Sequence, residues 1–120
     1  MATQILTYKD LIVWQKSILL VKSIYKLTKE YPKAEVFSLI DQIRRAAISI
    51  SSNIAEGYGR RSHKEYLQFY SIAYGSALEV ETQLIISKEL GFVANENFNE
   101  ISSLLTEIIK MLYVMTYKRN

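Results

Sequence analysis

The 120-residue chain has no cysteine, a single proline, a single histidine and only four glycines. Without thiols there is no disulfide framework, no thiolate metal site and no cysteine nucleophile, a usage that suits a reducing compartment. With His63 alone, a paired-imidazole site of the HExxH kind cannot be built within one chain. A Ser-His-acid triad would have to use that same ring, which stands among Arg60, Arg61 and Lys64 with no carboxylate partner in view. No GxxxxGK[ST] loop occurs, and Gly57-Tyr58-Gly59 is only a GxG, so phosphate cradling by a glycine-rich loop is unsupported. The longest aliphatic run, Ile18–Val21, is stopped by Lys22, far short of the roughly 20 residues of a membrane span. The opening MATQILTYKD lacks the basic start and apolar run of a signal peptide. These absences give the expectation of a cytoplasmic, non-enzymatic protein with no cofactor, no metal and no membrane segment. Strand signals are missing as well: there is no sustained alternation and no Asn-Gly or Asp-Gly turn.

What is there is helical periodicity, in four segments marked off by Pro32 and the glycines. The first spans about Tyr8 to Lys29, opened by Thr7 with Asp10 in capping-box spacing. Leu11, Trp14, Ile18, Val21, Tyr25 and Thr28 recur on one face, and Val13, Leu20, Ile24 and Leu27 widen the stripe. Tyr31-Pro32 ends it, since a residue before proline avoids the helical region. The second segment spans about Ala34 to Glu56. Val36, Ile40, Ile43, Ala47, Ile50 and Ile54 form a heptad seam, and Gly57 is the expected residue just past its end. The third opens on a Ser62–Glu65 capping box, carries Tyr66, Tyr70, Ala73, Ala77, Val80, Leu84 and Ser87 on one face, and closes at Gly91. The fourth opens near Asn97 and carries Ile101, Leu105, Ile108, Leu112 and Met115, with a polar tail at Tyr117–Asn120. A chain of this length with four amphipathic helices and short connections predicts one all-α domain over residues 1–120, an up-down-up-down antiparallel four-helix bundle.

The first segment is apolar over more than half its circumference, which predicts burial on more than one side. Nine tyrosines and one tryptophan also favour an interface, where aromatic residues are enriched, so self-association is expected.

Net charge is +3, unevenly spread. Residues 1–64 hold 11 Lys/Arg against 5 Asp/Glu, and residues 65–120 hold 4 against 7. Such asymmetry either offers a basic face to a polyanion or draws opposite halves together, within the bundle or between subunits. The strongest binding candidate is Arg60-Arg61-Ser62-His63-Lys64. It gathers cations at a helix start, where free N–H groups and the positive dipole end already favour an anion such as phosphate. Tyr58 and Tyr66 flank it and can stack on unpaired bases. Arg44 and Arg45 would extend the surface, although Asp41 stands four residues before Arg45 and offers it an ordinary surface ion pair. The alternative for the cluster is a charged, solvated loop in which Ser62 caps its own helix. The small polar run Ser49, Ser51, Ser52 and Asn53 reads as a close-packing surface, with Asn53 and Glu56 bracing the turn into the third helix.

The stretch Gln42–Gly57, QIRRAAISISSNIAEG, resembles the signature of the four-helix-bundle proteins encoded in intervening sequences of bacterial 23S rRNA genes. Other stretches are similar in order and spacing: Asp10-Leu11-Ile12-Val13-Trp14-Gln15, Glu30-Tyr31-Pro32, Arg60 and Ser62 with Glu65-Tyr66, and Ile72-Ala73-Tyr74-Gly75-Ser76 with Glu79 and Thr82-Gln83-Leu84. The departures are conservative, with Tyr66 in place of Phe and Ser38 where Gly is common. The resemblance implies a small bundle that assembles into a ring, a pentamer. It also implies kinship with the accessory proteins of diversity-generating retroelements, basic pentameric barrels thought to bind nucleic acid and a reverse transcriptase. It supplies no catalytic residue. Members are sometimes labelled ribosomal proteins, a name that reflects gene location.

The expectation is therefore a homo-oligomer that binds rRNA or DNA through Arg44, Arg45, Arg60, Arg61 and Lys64. The alternative is a ring-shaped scaffold for a protein partner.

Overall fold

The computed structural model describes residues 4–118. Four helices follow one another: α1 at Ile12–Thr28, α2 at Leu39–Tyr58, α3 at His63–Glu89 and α4 at Asn95–Tyr117. Each packs on its sequence neighbours and α1 packs on α4, whereas among the described residues the backbones of the diagonal pairs α1/α3 and α2/α4 nowhere come within 8 Å of each other. This is the expected up-down-up-down bundle, with overall dimensions of 43 × 31 × 22 Å. Among the described residues no helix is long and apolar enough to cross a membrane.

The helix ends follow from local chemistry. Thr7 Oγ1 accepts from the Lys9 N–H at 3.1 Å, and Asp10 Oδ2 accepts from the Thr7 N–H at 3.0 Å. The expected capping box is thus present, but it closes a 3-10 turn at Tyr8–Asp10 that leads into α1. Those backbone donors hold the Asp10 carboxyl below its ordinary range, the Leu6 N–H having the largest effect. Ser62 Oγ accepts from the Glu65 N–H at 3.1 Å, so the hydroxyl half of the second expected box starts α3. At the other end of α3, Gly91 takes φ +80°. The Phe92 N–H reaches the Ser87 carbonyl and the Gly91 N–H reaches that of Lys88, the paired bonds of a Schellman stop.

Three helix ends differ from the sequence reading. α2 begins at Leu39, after a 3-10 turn at Lys33–Glu35, so Val36 is off the seam and Phe37 is 93% exposed. Gly57 does not stop α2. The helix runs through it to Tyr58, and a Cβ there would lie 2.7 Å from Tyr70 Cε1 and 3.2 Å from Phe69 Cβ. The missing side chain is what lets α3 approach. Lastly, Tyr117 is not part of a loose tail but the last residue of α4; Arg119 and Asn120 lie outside the described residues.

The core runs along all four helices. Ile40, Ile43, Ala47, Ile50 and Ile54 of α2, Ala73, Ala77, Val80 and Leu84 of α3, and Ile101, Leu105, Ile108 and Leu112 of α4 are buried as expected. On α1 the inward face is the flank, Val13, Leu20, Ile24 and Leu27, joined by Ser17; of the six residues expected to form its seam, only Thr28 is buried. Ser17 tolerates the core because its hydroxyl donates to the Trp14 carbonyl at 2.6 Å, satisfying a group that is costly to bury unpaired.

Candidate nucleic-acid interface

The turn between α2 and α3 carries the expected cation cluster. Arg60, Arg61 and Lys64 are exposed. Arg60 Nη2 meets Glu56 Oε2 at 2.7 Å, and its guanidinium lies 4.5 Å from the centre of the Phe69 ring. That double contact orients Arg60 and partly offsets its charge. Arg61 and Lys64 form no ion pair among the described residues and project beside the first turn of α3. Arg60 also lines a shallow depression with Ser52, Ala55, Glu56 and Gly59.

Aromatic rings gather in the same half of the bundle. On α3, His63 and Tyr66 pack edge-on at 4.8 Å, with the Tyr66 hydroxyl on His63 Nδ1, and Tyr66 packs edge-on against Tyr70 at 5.3 Å. Burial pushes the Tyr70 phenol above its ordinary pKa, and the neighbouring Tyr66 and Tyr58 add to the shift. Tyr74 meets Tyr113 at 6.1 Å and Tyr117 at 5.5 Å across the α3–α4 contact. Tyr58, Tyr113 and Tyr117 leave 36%, 45% and 54% of their surface exposed. Sequence reading singled out Tyr58 and Tyr66 but missed the triad of Tyr74, Tyr113 and Tyr117. The four-residue step from Tyr113 to Tyr117 pairs them on one helix, but only the register of α3 against α4 adds Tyr74.

The other two arginines are not brought to this turn. Arg44 and Arg45 lie sixteen and fifteen residues before Arg60, so along α2 they are about 24 Å away at a rise of about 1.5 Å per residue. Arg44 Nε donates to Thr28 Oγ1 at 2.8 Å, and its guanidinium rests 4.4 Å from the Tyr25 ring centre, so it fastens α2 to α1. Thr28 Oγ1 in turn donates to the Ile24 carbonyl at 2.7 Å. Arg45 makes the surface pair with Asp41, 3.0 Å from either oxygen, and its side chain is 78% exposed.

The small polar run does structural work. Asn53 Nδ2 donates to the Ser49 carbonyl at 2.8 Å and to Ser49 Oγ at 3.0 Å, and the Ser49 and Ser76 hydroxyls are hydrogen-bonded to each other at 2.8 Å. Together they join α2 to α3, while Glu56 reaches forward to Arg60. Among the described residues no three His, Cys, Asp or Glu side chains converge as a metal ion would require.

A crystal structure of a protein of unknown function from the S23 ribosomal protein family of Bacteroides thetaiotaomicron superposes with a TM-score of 0.79 at 27% identity. The match covers 88% of this chain and 99% of that one. No curated protein matches the sequence. The model of the family described as 23S rRNA-intervening sequence protein matches residues 9–114, nearly the whole bundle, and the chain belongs to that family.

Proposed function

We propose that the protein is a non-enzymatic, self-associating bundle that binds structured RNA or DNA in the cytoplasm. The observation that carries this reading is the α2–α3 turn, where Arg60, Arg61 and Lys64 stand exposed beside a helix start and exposed tyrosines share the same half of the molecule. Phosphates are held by cations and helix-start N–H groups, and unpaired bases stack on aromatic faces. Arg45, exposed and only surface-paired, extends the contact when a long ligand runs along α2; Arg44, already engaged with α1, adds positive potential. In a ring, the pentamer that the family resemblance implies, each weak site is repeated and binding gains from multivalency.

Binding of labelled structured rRNA, duplex DNA and single strands across a salt series tests this directly. The reading expects affinity that falls steeply with salt, with a log–log slope of about −0.9 per phosphate neutralised on duplex DNA, and Arg60→Ala with Arg61→Ala to weaken it without unfolding the chain. Unchanged affinity in that variant removes the turn as the site.

A second reading, a scaffold for a protein partner, draws on the opposite half of the bundle, where Val36 and Phe37 are exposed beyond what the fold uses. Under it the chain binds no nucleic acid even at low salt.

A further inference from the structure

α1 and α3 occupy opposite corners of the bundle, with no backbone approach within 8 Å between them, so their outward faces point in opposite directions. Those faces are unlike each other. On α1, Ile12, Gln15, Leu19, Lys22, Lys26 and Lys29 are all exposed and follow one another at steps of three and four, a single stripe along the helix. No Asp or Glu occurs between Leu11 and Lys29. On α3 the outward stripe carries Ile72, Leu78, Ile85 and Ile86, 37–48% exposed, with Glu79 and Glu89 beside them. Between Glu65 and Leu90 the sole cation is Lys88, and it lies over the Phe98 ring at 4.3 Å.

The bundle uses little of this charge internally: Glu79 Oε2 accepts from Gln83 Nε2 of its own helix at 3.1 Å. Among the described residues only one ion pair joins two helices, Lys16 to Glu107 at 2.6 Å. Lys22, Lys26, Glu79 and Glu89 form none. One face is therefore apolar and basic, the other apolar and acidic.

We infer that the α1 face of one copy packs against the α3 face of the next, a head-to-tail contact that rests on the self-association proposed above. A symmetric α1–α1 contact would set lysine against lysine, and a symmetric α3–α3 contact would set glutamate against glutamate; like charges so placed are destabilising. The unlike pairing also matches in level. α1 and α3 run in the same direction, and about 1.5 Å per residue puts Leu19 about 10 Å and Ile72 about 14 Å from their helix starts, with Lys26 at about 21 Å and Glu79 at about 24 Å. Gly75 lies on the α3 face, where a side chain would meet nothing within 4 Å, a low point over which a neighbouring helix can pass. Unlike surfaces on opposite sides of a subunit generate a ring when the rotation closes, so this contact supplies the geometry that the multivalent reading needs.

The test is a charge exchange read by light scattering, with circular dichroism as the check on folding. Lys22→Glu with Lys26→Glu, and separately Glu79→Lys with Glu89→Lys, should each reduce the particle mass while leaving the helical signal intact. The fourfold variant carrying both exchanges restores opposite charges and should regain the wild-type mass. If both double variants keep that mass, or if the folded fourfold variant stays dissociated, the face assignment is overturned while self-association stands. A wild-type chain that is monomeric at high concentration overturns both, and the salt-dependent binding assay still reports on the cation cluster by itself.

Discussion

Adjacent residues of one type can have opposite jobs, and Arg44 and Arg45 show how. Arg44 is half-buried, hydrogen-bonded to Thr28 and seated on Tyr25; Arg45 faces solvent and pairs with Asp41. Arg44→Ala removes a charged hydrogen bond and a cation–π contact and should cost about 1–2 kcal/mol. Arg45→Ala should stay within about 0.5 kcal/mol. Urea unfolding of the two variants checks the difference, and equal effects would contradict it. Gly57 is the sharper steric test. Alanine there gains about 1 kcal/mol of helix propensity but puts its Cβ 2.7 Å from the Tyr70 ring, and overpacking of this kind costs about 1–3 kcal/mol. Gly57→Ala is expected to lower Tm; a rise would mean that the α2–α3 contact is looser than described. Tyr70 also sets a pH dependence. Its folded pKa is raised by burial, so above the ordinary phenol value the unfolded chain loses its proton first, and stability falls as pH rises past about 10. Tyr70→Phe should lessen that alkaline decline in thermal melts recorded from pH 8 to 11, the share of Tyr31, also raised by burial, remaining.

At the scale of elements, most of the fold was legible, because heptad spacing and the stop at Gly91 are local signals. The misreadings also have local causes. Ser17 interrupts the apolar pattern on α1, so the outer set from Leu11 to Tyr25 looks like the seam; the serine is hidden by its bond to its own helix. Val36 continues the spacing of α2 backwards, yet the 3-10 turn at Lys33–Glu35 rotates it out of register. Gly57 is the residue type that ends helices, and only the approach of Tyr70 reveals a packing role. Of the candidate site, the cluster Arg60, Arg61 and Lys64 was readable because those cations are near neighbours in sequence. The engagement of Arg44 with Thr28 and Tyr25 was not, because sixteen and nineteen residues separate the partners and no local pattern encodes their contact.

For the whole molecule, the bundle separates its resources. Exposed tyrosines share one half of the molecule with the cations of the α2–α3 turn, the far half exposes Phe37, and the faces of α1 and α3 carry opposite charge over apolar residues. Among the described residues the charge asymmetry along the sequence is neutralised between helices only by Lys16 and Glu107, which is why the proposed binding and self-association both draw on it. The most direct measurement of the central claim is the affinity of structured rRNA for the wild-type protein and for Arg60→Ala/Arg61→Ala/Lys64→Ala, titrated with salt at known particle mass. Tight binding at low salt that weakens steeply as salt rises is expected, with a shallower slope and lower affinity in the triple variant at unchanged mass. Binding that is absent at low salt, or identical in the two proteins, would contradict it.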